Sequence, residues 1–492
     1  MSPTFIFLCF VGYTILLFVI TWITSKKANN ESFFIGNKSS PWFVVAYGMI
    51  GASLSGVTFM SVPGWVGDTQ FTMMMVVFGY LVGYTIIALV LLPLYYRLNL
   101  TSIYSYLEQR FGFWTYKTGA FFFILSRVIG ASFRMFLVVN VLQIFIFDAW
   151  HIPFILTVGV FILLIILYTF KGGIKTIIWT DTLQTTFMLA AVFISIWMIS
   201  DQLHLSIAQL ITKVAHSDYS RIVVADWHDK RFFIKQFLSG IFIAIAMTGL
   251  DQEMMQKNLS CRNLKDAQKN MFSFSIVLVF VNLMFLFLGA VLLIFAKQRG
   301  IEMPLRSDDL FPILSLRYLG PVAGLVFMIG LISAAYPSAD GALTSLTTSF
   351  SLDFMGLAKN KKLNETQKRH VRYRVHIGFA ILLMFVIVLF RSINDRAVID
   401  KLFTVAGYTY GPLLGLFSFG LFTNYSVKDR FVPWIAVASP VVCYFISDFS
   451  VYLFDGYKFG FELLIMNGAL TFAALWMIRK RREVASKVRQ SA

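Results

Sequence analysis

Runs of about 20 mostly apolar residues recur from one end of this chain to the other, the length that a membrane-spanning helix needs. Thirteen such runs are centred at residues 4–24, 42–66, 71–96, 117–147, 152–170, 174–200, 233–256, 271–296, 320–354, 375–391, 399–423, 432–453 and 460–478. Of the 492 residues, 58% are hydrophobic and 14% charged, against about 25% charged in an ordinary globular chain. No polar linker sets off a soluble domain. The pattern predicts an all-α integral membrane protein of about 13 transmembrane helices in a single domain covering 1–492.

The net charge of +17 does not describe a nucleic-acid surface, because the Lys and Arg residues sit between apolar runs and not along one stripe. Their placement reads as topology. With the N-terminus outside, the inner segments carry 27 Lys and Arg and the outer ones 13, while Arg127 and Arg134 lie within the third core span. This bias predicts an N-terminus outside the cell membrane and a cytoplasmic C-terminus. The first run has no basic residue before it and no small-residue cleavage site after it, so it reads as a true span and not a signal peptide. Ser102–Gly112 reads as a short amphipathic helix at the inner surface, Asp201–Arg231 as an outer loop, and the run Arg479–Glu483 as a stop-transfer cluster. Cys9, Cys261 and Cys443 are too scattered for disulfides or a thiolate metal site.

Charged residues inside a span are costly and face a cavity, a pathway or a partner. Arg134, Asp181 and Asp340 are the clear cases, while Asp251, Glu253 and Asp448 read as interfacial and Arg127 as snorkelling inward. Arg134 lies near the bilayer centre by residue count. Its partner is either a carboxylate-bearing ligand or an internal acid such as Asp181 or Asp340.

Two clusters of small and hydroxyl residues stand out. The first core span, from Gly48 to Gly64, holds four glycines, four hydroxyls and Pro63, which predicts an interrupted helix of the kind that lines transporter binding sites. In the eighth core span, Ala334, Ser338, Gly341, Ser345 and Thr348 form one helical stripe, and Pro337, Asp340, Thr344, Thr347 and Ser351 form the adjacent one. Hydroxyls, carbonyls and one carboxylate suit a hard cation, sodium first and a proton second. Pro337 also frees the carbonyl of Ser333.

At these residues the chain resembles the sodium:solute symporter family. The likeness extends to Phe33-Phe-Ile-Gly36, Thr101–Gly112, Gly172-Gly173 with Trp179–Gln184, Gly249–Gln256 and Gly407-Tyr-Thr-Tyr-Gly-Pro412, in that order. It implies a leucine-transporter-type core of two inverted five-helix repeats, residues 42–200 and 233–423, with extra helices at both ends. It implies one sodium held by Gly51, Leu54, Ala334, Pro337 and Ser338, although Pro337 stands where members of the family carry a second hydroxyl. A second sodium is implied at Asp181, Asp340 and Gly341. Substrate contacts are implied at Ser55 and Thr58, with Arg134 as partner of a substrate carboxylate.

The expected function is a sodium-coupled symporter that imports a small organic solute (sugar, sialic-acid-like organic acid or amino acid) by alternating access. Proton coupling in the same fold is the alternative, motivated by Pro337 and the intramembrane acids, and a solute-sensing receptor lies further off. No His, Cys or paired-carboxylate arrangement suggests an enzyme.

Overall fold

The computed structural model describes residues 3–26, 30–360, 362–392 and 398–481. Lys27, Lys361, Arg396 and the basic residues from Arg482 onward, all used in the loop count, lie outside the described residues. Among the described residues nine helices have the length and hydropathy to cross a membrane, and two more spans are helix pairs bent at a short break. The two other expected spans, Phe154–Phe170 and Leu463–Met477, are apolar helices of 10–17 residues. Eleven spans thus meet the length criterion, against the thirteen expected.

The first broken span consists of Trp42–Ser53 and Gly56–Thr69, bent by 56°. Leu54 (φ −91°, ψ 80°) and Ser55 (φ −76°, ψ 179°) leave the helical region there, as the Gly-rich sequence predicts. The second broken span, Phe233–Gly249 and Gln252–Leu259, is bent by 67° and corrects the expectation of a continuous helix over 233–256. Its break is made by side-chain substitutes for the helical ladder. The Asp251 carboxylate accepts from the amides of Glu253 (2.9 Å) and Met254 (3.2 Å), capping the second half. The hydroxyl of Tyr95 donates to the Gly249 carbonyl (2.9 Å) and that of Tyr104 to the Leu250 carbonyl (2.9 Å).

Tyr104 belongs to the segment expected to lie as an amphipathic helix on the inner surface. The structure forms only a short helix, Ser105–Arg110, and buries Ile103, Tyr104 and Leu107 completely. The Gln252 side chain accepts from the Ile103 amide (3.0 Å) and donates to the Thr101 carbonyl (2.8 Å). This segment is a brace for the second break and not a surface float. The expected outer loop contains a helix, Ile207–Ala215, started by a capping box at Ser206 and Gln209.

Three continuous helices complete the surroundings of the site: Phe113–Leu142, Ile174–Gln202 and Pro321–Ser349. Pro337 does not interrupt the last of them, and its polar face is wholly buried, packed on Ile174–Gln202 and on several other helices, with Asp340 bonded to Tyr168 and Thr347 to His376.

Candidate functional site

At the first break the carbonyls of Gly51 and Leu54 leave the i to i+4 ladder. Gly51 has no side chain because Thr185 fills the space a methyl group would take, and the Thr185 hydroxyl donates to the Asp181 carbonyl (2.7 Å). Gly56, just past the break, packs against the Val138 side chain, which fills the space its Cβ would take, with the Ala334 and Arg134 carbonyls each 3.9 Å from that position. The Ser338 hydroxyl is buried without a hydrogen-bond partner. The released carbonyls of Gly51 and Leu54 and the orphaned Ser338 hydroxyl are oxygen donors of the kind that a monovalent hard cation takes.

The second set is not assembled in the same way. Asp181 is paired with Lys257, Nζ to Oδ2 2.6 Å, with both side chains buried. Asp340 is held by other partners: one oxygen accepts from the Tyr168 hydroxyl (2.6 Å) and the other from the Gly341 amide (2.5 Å). Gly341 lies against the Glu253 carboxylate, which occupies the space its Cβ would need.

Ser55, Thr58 and Arg134 line one central cavity of about 90 Å³, together with Tyr80, Tyr84, Arg127, Thr248 and Asn282. Arg134 has no ion pair among the described residues, neither with Asp181 nor with Asp340, and its Nε is buried without a partner. Arg127 contradicts the snorkelling expectation. It is 5% exposed, its guanidinium lies directly against the Glu253 carboxylate, and its Nη1 is 3.7 Å from Asp251 Oδ2. Asp251 and Glu253 are accordingly buried and not interfacial, whereas Asp448 is exposed as expected. The physical reason is mutual: each charge that sequence position alone sends toward water is offset by another across the helix interface.

These pairs join end to end. Glu253 Oε1 lies 3.6 Å from Lys257 Nζ, so a ladder runs Arg127, Glu253, Lys257, Asp181 from the central cavity to the helix behind the first break. Tyr410, from the Gly407–Pro412 motif, donates to Asp251 (2.7 Å). Lys257, counted as an inner-loop residue from its position, is therefore part of the buried site. The spacing of Glu253 and Lys257, one helical turn apart, is the signal that would have found it.

A vestibule of about 930 Å³ opens on the side that the charge bias assigns to the outside, lined by Asp68, residues 228–231 and residues 458–461. Arg231 binds Asp229 at its rim (2.7 Å) and holds that carboxyl below the usual carboxylate range. Phe461 lines the vestibule, with its ring centroid 6.1 Å from that of Trp65 and 4.8 Å from that of Phe403, which lines the central cavity.

The profile of the sodium:solute symporter family matches residues 33–427. A sodium/sialic acid symporter of Proteus mirabilis (strain HI4320) is 22% identical over 87% of this chain and 88% of its own length. A second, of Aliivibrio fischeri (strain ATCC 700601 / ES114), is 23% identical over 93% and 90%. The human sodium/iodide cotransporter is 25% identical over 85% of this chain and 66% of its own length. Among solved structures, a sodium-coupled sialic acid symporter in a substrate-bound outward-open state superposes with a TM-score of 0.78 at 21% identity, over 97% of this chain and 99% of that one. The nucleobase-cation-symport transporter Mhp1 superposes with a TM-score of 0.54 at 12% identity, over 91% and 94%.

Proposed function

The chain belongs to the sodium:solute symporter family and is a sodium-coupled membrane transporter, and from that premise we propose that it imports a small organic anion with sodium by alternating access. Of the sugar, organic-acid and amino-acid classes, carboxylates are favoured by one observation. Arg134 presents a guanidinium to the central cavity with its Nε buried and unpartnered, beside Ser55 and Thr58. Arg134 has no ion pair with a protein acid among the described residues, so this reading assigns it a ligand's carboxylate, which its planar fork engages through two hydrogen bonds. Relatives named for sialic acid and for monocarboxylates carry carboxylates by their names, which supports the same class here.

In this reading sodium sits among the carbonyls of Gly51, Leu54, Ala334 and Pro337 and the Ser338 hydroxyl, linking the first break to the helix Pro321–Ser349. Its binding favours the outward-open, solute-ready conformation, and coupling follows from differing affinities in the two states. The orientation is N-terminus outside and C-terminus cytoplasmic, in the cell membrane. The Phe461, Phe403 and Trp65 rings form the partition that moves when solute passes from vestibule to cavity.

The test is thermal unfolding of the purified protein in sodium against potassium at matched ionic strength, with small carboxylates, amino acids and sugars. Ligand at about 100 times its Kd stabilises by about 2.7 kcal/mol. Sodium-specific stabilisation that deepens with carboxylates is expected. Deepening by neutral sugars but not by carboxylates would overturn the anion assignment.

A further inference from the structure

Resting on the sodium-coupled reading above, we propose that the Lys257 ammonium permanently fills the position of a second sodium, so that this chain binds one sodium per transport cycle. The position is the one centred on Asp181, and four observations carry the inference. The Lys257 ammonium contacts Asp181 Oδ2 at 2.6 Å and stands 3.6 Å from Glu253 Oε1. Both lysine and aspartate are buried. The other carboxylate expected there, Asp340, has each oxygen engaged, by Tyr168 and by the Gly341 amide. The remaining position, Gly341, offers no side chain, and the Glu253 carboxylate fills the space beside it.

An ammonium carries the same unit charge as sodium and meets the same carboxylate. It differs in being tethered. A sodium ion entering beside Asp181 reaches only the Oδ1 that Lys257 leaves unpartnered and stands next to a buried like charge, which a desolvated interior strongly disfavours. Lys257 sits on the second half of the second broken span, and Glu253, one turn before it, touches Arg127 at the central cavity. The tethered charge therefore does what a bound ion at that position would do, holding the Asp181 helix to the broken span, without being released inside. With one sodium and a monoanionic solute, each cycle moves no net charge.

The experiment counts sodium sites by equilibrium binding of radioactive sodium to the purified full-length protein, in the wild type and in the double variant Asp181→Asn/Lys257→Met, which removes both charges together. One site in each is the expected result. Two sites in the wild type, falling to one in the double variant, would leave sodium coupling intact and overturn the inference alone. One site in the wild type and none in the double variant would place the only sodium at Asp181 and overturn it as well. No site in the wild type contradicts the sodium-coupled reading and the inference with it. If the double variant does not fold, Ser338→Ala carries the distinction. It weakens the single site about tenfold if the ion lies at the first break, and an unchanged affinity overturns the inference.

Discussion

The Arg127 guanidinium lies directly on the Glu253 carboxylate, and both are buried, one at the wall of the central cavity and the other in the second broken span. Removing one partner of a buried pair leaves an uncompensated charge and costs about 3–5 kcal/mol. Arg127→Met and Glu253→Gln are each expected to lower the unfolding temperature strongly. The double variant Arg127→Met/Glu253→Gln loses much less than the two effects added. Strict additivity in a double-mutant cycle would contradict the pairing.

The second break depends on two borrowed hydroxyls. Tyr104→Phe leaves the buried Leu250 carbonyl without its donor, and Tyr95→Phe does the same to Gly249. Each is expected to destabilise by about 1–3 kcal/mol, whereas Tyr452→Phe, at an 87% exposed position, changes nothing. Thermal unfolding in one detergent compares the three, and equal midpoints would refute the bracing role.

Ser338 behaves differently, because its hydroxyl has no protein partner to lose. Ser338→Ala is expected to leave stability in sodium-free buffer unchanged. It raises the half-saturating sodium concentration roughly tenfold, corresponding to about 1.4 kcal/mol. A titration of unfolding temperature against sodium measures both quantities on one sample. Loss of stability without sodium, or an unshifted titration, would remove Ser338 from the cation site.

Arg134 serves as the probe of solute class. Arg134→Lys keeps the charge but not the two-pronged geometry, and Arg134→Ala loses both. Losing a charge-assisted bond of about 2 kcal/mol raises half-saturating solute roughly 30-fold. The expected order of apparent affinity for a carboxylate is wild type, then lysine, then alanine, with sodium affinity in the absence of solute unaltered. Retained carboxylate affinity in the alanine variant would show that Arg134 serves the fold alone.

The chain's sequence made some parts of this arrangement readable and hid others for a physical reason. The first break was legible because four glycines and Pro63 sit inside one apolar run, a local signal. The buried polar face through Ser338 and Thr348 was legible from helical periodicity, and Ser55, Thr58 and Arg134 do share one cavity. The second break was not, because a single glycine precedes it. What stabilises it is Tyr95 and Tyr104, about 150 residues away in the chain. Hydropathy counting likewise placed Arg127, Asp251, Glu253 and Lys257 near water, since each residue is scored alone. Their burial is a property of pairs that only the packing of distant helices creates.

Uptake into proteoliposomes bears most directly on sodium coupling. The measurement is accumulation of a labelled small carboxylate, chosen by the stabilisation screen, under an inward sodium gradient and under a matched potassium gradient. Internal solute rising above the external concentration only with the sodium gradient, and collapsing when a sodium ionophore dissipates it, is the expected result. Equal accumulation in sodium-free buffer, or uptake that never exceeds equilibration, would contradict sodium-driven symport.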